Sequence, residues 1–143
     1  MTSLYETDFY AWTHQQAGLL RAGQWAEADL VHIAEEIDSM GRSEQRELLN
    51  RLVVLLLHLL KWRFQPGLRG NSWRLSIKEQ RIRLTIHLKD NPSLKAKLDQ
   101  AIAQAYLLAL IEAERETGLS ETTFPPACPF SFAQMMDENF WPD

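Results

Sequence analysis

Few side chains in this sequence have the chemistry for a reaction, and they are scattered. Four histidines and one cysteine occur in 143 residues. His32 stands in D-x-x-H and H-x-x-x-E spacing with Asp29, Glu35 and Glu36, separations that place metal ligands on one side of a helix. His58 lies inside the apolar run "LVVLLLHLLKW". Steps of eleven, close to three full turns, align His58 with Glu47 and Glu36 along a polar stripe, and Glu44 lies on the adjoining seam. Successive members of that stripe are roughly 16 Å apart at 1.5 Å per residue. His58 with Glu44 and Glu47 therefore makes a metal-dependent enzyme only if another helix supplies further ligands. A hydrogen-bonded core histidine is the favoured alternative. For His32 the favoured alternative is a solvated acidic face, because it and Glu35 point away from the apolar seam.

The remaining nucleophiles have local explanations. Ser43, Ser72 and Ser131 sit at cap positions or among charges, and no G-x-S-x-G or glycine-rich phosphate loop occurs. Cys128 lies among prolines without a neighbouring base, so a packed thiol is expected. The lone cysteine gives no internal disulfide and no metal-binding pair, and fits a reducing compartment. No cofactor is expected.

Charge is the strongest asymmetry. The net charge is −4. Ten of the fifteen lysines and arginines lie between Lys61 and Lys97, opposed there only by Glu79 and Asp90, whereas the rest of the chain sets five basic residues against seventeen acidic ones. Arg63, Arg69, Arg74, Lys78, Arg81 and Arg83, interleaved with Trp62, Phe64 and Trp73, have the composition to hold phosphates and stack bases. Nucleic-acid binding is thus one candidate function. Arginines meeting the acidic segments Glu27–Glu47 and Glu112–Glu121 explain the same pattern without a ligand, and that explanation is preferred.

The elements that must carry these residues are helical. A first helix, capped at Ser3 or Thr7, presents Phe9, Trp12, Gln16 and Leu19 on one face. A second spans about 26–64, with Leu30, Ile33, Ile37, Met40, Glu44, Leu48, Leu52, Leu55, Leu59 and Trp62 in phase. Gly41 lies on that seam, either as a break or as a point of close backbone approach. "RIRLTIHLK" alternates as a strand would, but seventeen residues without a turn signal favour a helix over 73–89, capped by Ser72. Trp73, Ile77, Leu84 and Leu88 share one face of it and Leu75, Ile82 and Ile86 the other, so both faces need cover, from other layers or from a second subunit. A fourth helix opens at Asn91-Pro92, turns Leu94, Leu98, Ala101, Ile102, Ala105, Leu108 and Ala109 inward, and stops at Gly118. A proline-rich segment and a short helix opened by Ser131 and Gln134 follow, with Phe124, Phe130, Phe132, Phe140 and Trp141 packing the tail down.

The stretches "DFYAWTHQQAGLLRAG", "AEEIDSMGRSEQRELLNRL", "LLHLLKW" followed by "QP", then "SW", "QR", "PSLK", "ETG" and "FPPACPF" closely resemble the DUF29 family, bacterial and largely cyanobacterial proteins of unknown function. The resemblance runs from about Leu4 to Pro142. It implies an all-helical fold and a prokaryotic cytoplasmic protein, and it assigns no activity and no catalytic residue.

The resulting expectation is an all-α bundle, one domain over residues 1–143, with a long central helix and a short C-terminal helix after the proline-rich segment. Its hydrophobic fraction of 45% suffices for a core. It lacks a secretory signal, and its longest apolar run, Leu52–Leu60, falls well short of a membrane span. The expected role is that of a cytoplasmic protein acting through protein contacts, with itself as partner, through Leu75, Ile82 and Ile86. Another protein partner is allowed, nucleic acid is not favoured and a membrane is not expected.

Overall fold

The computed structural model describes residues 3–143. Met1 and Thr2, part of the expected domain 1–143, lie outside the described residues. The all-α expectation holds, with helices α1 (Leu4–Thr7), α2 (Phe9–Arg21), α3 (Leu30–Phe64), α4 (Asn71–Asp90), α5 (Leu98–Thr117) and α6 (Phe132–Met136), and no strand among the described residues. Packing divides the chain into two compact units, the first ending at Ser43 and the second covering Glu44–Asp143.

In the first unit the start of α2 differs from expectation. Ser3 makes no side-chain cap, and Asp8 accepts from the Ala11 N–H at 3.1 Å instead, so the chain breaks between α1 and α2. Gly23, at φ 72°, ends α2 in a Schellman turn: its N–H bonds Leu20 O and the Gln24 N–H bonds Leu19 O. Trp12 and Gln16 are buried. Gln16 Oε1 accepts the Asp29 N–H at 2.7 Å, and Asp29 Oδ1 accepts the His32 N–H at 3.3 Å. These two bonds define the start of α3 at Leu30, four residues later than the apolar phase alone indicates.

Helix α3 is continuous through Gly41. A Cβ at Gly41 would meet nothing within 4 Å, so close backbone approach is not the reason for this glycine. The seam is in phase but not uniformly buried: Leu30, Ile37 and Met40 are 53%, 62% and 67% exposed.

The second unit holds the main core. Leu48, Leu52, Leu55, Leu56, Leu59 and Leu60 of α3 pack with Ile77, Leu84 and Leu88 of α4, with Ala105, Tyr106 and Ala109 of α5, and with Phe124, Phe130 and Met135 of the tail. Each fully buried leucine contributes on the order of 1.5–3 kcal/mol. Helix α4 is helical despite its alternating stretch, because the 3.6 period brings Ile77, Leu84 and Leu88 to one side. Gly70 rather than Ser72 precedes its first turn, and Ser72 lies inside the helix. Asn91-Pro92 opens a 3₁₀ turn, Pro92–Lys97, before α5 begins. Leu108, expected inward, is 44% exposed, while Tyr106, Leu110 and Ala113 are buried instead. Gly118, at φ 76°, stops α5, and Ser131 with Gln134 forms the full capping box of α6.

With open space at its Cβ position and a helical backbone, Gly41 carries only the entropic cost of glycine in a helix. Gly41→Ala is expected to raise stability by about 0.5–1 kcal/mol, measured as a higher urea midpoint with an unchanged m-value.

Candidate functional site

The basic segment is largely spoken for by the C-terminal tail. Arg81 is 5% exposed. Its Nε donates to Met135 O at 2.7 Å, and its Nη2 donates to Phe140 O at 2.8 Å and to Gln134 O at 3.4 Å. Gln134 and Met135 lie in the last turn of α6, where intrahelical donors run out, although Gln134 O also accepts the Asp137 N–H at 3.3 Å. The guanidinium therefore caps α6 from the side of α4, and it also lies over the Trp141 ring at 5.4 Å. Burial pushes its pKa down, opposed by the charge of Asp137. Arg69 works the same way: Nε donates to Trp62 O at 2.6 Å, Nη2 donates to Pro142 O at 3.1 Å, and the guanidinium covers the Trp62 ring at 5.3 Å. Lys61 is buried between the Trp73 ring at 4.8 Å and Glu116 at 3.4 Å.

The other cations differ. Arg83 pairs with Glu79 at 3.2 Å on the surface. Arg63 is half-buried with its guanidinium 5.2 Å from the Phe64 ring. Arg74 donates to its neighbour Asn71 at 2.7 and 3.2 Å, and Lys78 is exposed. The expected counter-charge explanation thus holds for Lys61, which meets Glu116 of α5, whereas Arg83 pairs within its own helix. Arg69 and Arg81 hold backbone carbonyls, which no sequence pattern marks.

Between α4 and the tail runs an open groove of about 460 Å³. One wall is the outward face of α4, with Arg74, Lys78, Ile82 and Ile86; the other is Met136, Glu138, Asn139 and Trp141 of the tail. Leu75, Ile82 and Ile86 are 46%, 52% and 54% exposed, whereas Ile77 and Leu84 on the opposite face are fully buried. The groove therefore joins Ile82 and Ile86 of the expected interface to Arg74, Lys78 and Arg81 of the expected phosphate-binding set, while Leu75 lies outside its lining. Its apolar stripe has a cationic edge at Arg74 and Lys78, suited to a partner that is apolar and acidic. Glu138 and Asn139 of the tail wall had no signal in the sequence.

The histidines serve local structure. His58 Nδ1 donates to Val54 O of its own helix at 2.8 Å, and burial pushes its pKa below the ordinary value of 6.5. Glu47 pairs with Arg51 at 2.8 Å. Glu44 meets His87, which sequence reasoning missed: His87 Nε2 donates to Glu44 O at 2.9 Å, and Nδ1 lies 3.6 Å from Glu44 Oε2. The structure does not bring His58, Glu44 and Glu47 together. Among the described residues no three His, Cys, Asp or Glu side chains form a group able to hold a metal ion. In the first unit His32 Nδ1 lies 2.6 Å from Asp29 Oδ2 and the ring stacks on Tyr5 at 4.0 Å, so His32 is not simply solvated. The Asp29 bond raises the His32 pKa and lowers that of Asp29. Tyr5 donates to Glu36, which pushes its own pKa up to about 12. Burial raises the Cys128 thiol, whose Sγ donates to Phe130 O at 3.4 Å.

Two outcomes follow from this geometry. Arg81→Ala leaves tail carbonyls without their donor and is expected to cost about 3 kcal/mol, read by chemical denaturation, with the tail becoming cleavable by protease ahead of global unfolding. An NMR titration should place His58 below and His32 above 6.5. The sign for His58 is that of a base with a depressed folded pKa. Its contribution is present above 6.5 and lost as pH falls through the folded value. The stability advantage of wild type over His58→Gln should accordingly shrink as pH falls below 6.5.

No helix of the described residues is long and apolar enough to cross a membrane. Neither the curated proteins nor the solved structures yield a match to the chain. The family model described as "Domain of unknown function DUF29" matches residues 4–141, which include both units and both walls of the groove, and the chain therefore belongs to the DUF29 family.

Proposed function

We propose that the protein acts through protein contacts, as a cytoplasmic homo-oligomer, with the outward face of α4 as the interface. The observation that carries this reading is the uncovered line of Leu75, Ile82 and Ile86 on a helix whose opposite face is fully buried. Three large aliphatic side chains at i, i+7 and i+11 form a stripe along one helix face. Covering it removes apolar surface from water at about 25 cal/mol per Å². An apolar centre with a charged edge at Arg74 and Lys78 has the anatomy of a protein interface. A family match that spans both units supports treating the chain as one functional domain.

The second reading, nucleic-acid binding, rests on the exposed cations Arg74, Lys78 and Arg83. Two observations weigh against it. Arg69 and Arg81 are committed to the tail, and Trp62 and Trp73 are already covered by Arg69 and Lys61.

Ile82→Glu and Ile86→Glu are each expected to weaken self-association at least tenfold while leaving helicity unchanged, as read by sedimentation velocity over a concentration series. Assembly equal to wild type in both folded variants would remove the α4 interface. Salt-sensitive binding of an oligonucleotide that falls when Arg74 and Lys78 are changed to alanine would favour the second reading.

A further inference from the structure

Resting on that reading, we infer that the occupant of the α4 groove is the N-terminal half of α3 from a second copy of the chain. The groove suits an apolar segment with acidic flanks, and the chain contains one whose apolar side chains are exposed among the described residues. Between Glu27 and Met40 there are five carboxylates and no lysine or arginine. Leu30, Ile37 and Met40 of this segment face solvent. Successive turns bring Leu30, Ala34, Ile37 and Gly41 onto one line of the helix, with Met40 beside them and Asp38 on the flank. Asp29 and Glu36 are engaged by His32 and Tyr5. Glu27 and Asp38 are exposed and are the carboxylates offered to a partner, whereas Glu35 points away from this line.

The α4 face is its counterpart in both respects. From Asn71 to Lys89 there are five cations and one carboxylate, Glu79. Lys78 and Lys89 lie on the same side of the helix as the exposed stripe. A third exposed strip, Leu107, Leu108 and Ile111 on α5, is neighboured by Glu112, which pairs with Arg115, and by Glu114, which accepts the Glu121 N–H, so its carboxylates are already engaged. The pairing joins two unlike surfaces. Two copies can exchange two such contacts and close, or the contact can propagate from copy to copy.

Unlike surfaces make the pairing testable by complementation in the full-length chain. The double variant Ile37→Lys/Met40→Lys damages the α3 face and leaves the groove intact; Ile82→Glu damages the groove and leaves the face intact. All three positions are exposed, so both proteins should fold, with circular dichroism as the check. Sedimentation velocity should show at least tenfold weaker self-association for each variant alone and recovery of a mixed complex when they are combined. If Ile37→Lys/Met40→Lys assembles as wild type does, or if mixing restores nothing, the α3 segment is not the occupant, although α4 can still be an interface. If wild type itself stays monomeric throughout the concentration series, both the pairing and the homo-oligomer reading fall.

Discussion

A buried guanidinium organises the second unit. Arg81 sits almost out of solvent on a helix that also contributes to the leucine core, and a cation placed there costs several kcal/mol unless its donors are met. Arginine suits the position because its planar fork projects fixed donors in several directions. The acceptors are carbonyls at the end of α6, where intrahelical donors run out, and the Phe140 carbonyl beyond the helix. The cation and the tail therefore satisfy one another. Neither would be stable in its place alone.

The groove follows from that exchange. With α6 and Trp141 fixed beside α4, the tail becomes a wall, and the outward face of α4 becomes one side of a cleft rather than an open helix surface. Arg69 and Lys61 extend the arrangement by covering Trp62 and Trp73, and Arg69 also holds Pro142. Five cations of the basic segment thus fall into two groups. Arg69, Arg81 and Lys61 build the unit, while Arg74 and Lys78 edge the groove. Net charge alone does not separate them, because a buried cation bound to carbonyls counts the same as one facing water.

Much of this was legible from the order of residue types. The two-faced pattern of α4, the continuous phase of α3, the Gly118 stop and the Ser131 capping box all express local periodicity or local hydrogen bonding, which a linear reading contains. What was missed depends on partners distant in sequence. The start of α3 is decided by Gln16, thirteen residues before Asp29. The Glu44–His87 contact and the Arg81 clasp join residues 43 and 53–59 positions apart. The Arg81 partners are main-chain oxygens, invisible to any pattern of side chains. Leu108 is exposed because the buried arc of α5 is centred nearer Ala105, Ala109 and Ala113, all fully buried in the core.

The account stands on the claim that the outward face of α4 is covered in the working protein. Amide hydrogen exchange of the wild-type chain, followed by mass spectrometry at low and high protein concentration, tests that claim most directly. The account predicts that peptides covering residues 74–86 become more protected as concentration rises, while the core segment of α3 from Leu48 to Leu60 stays as it was. Exchange across α4 that is independent of concentration, in a protein that remains a single chain, would contradict it.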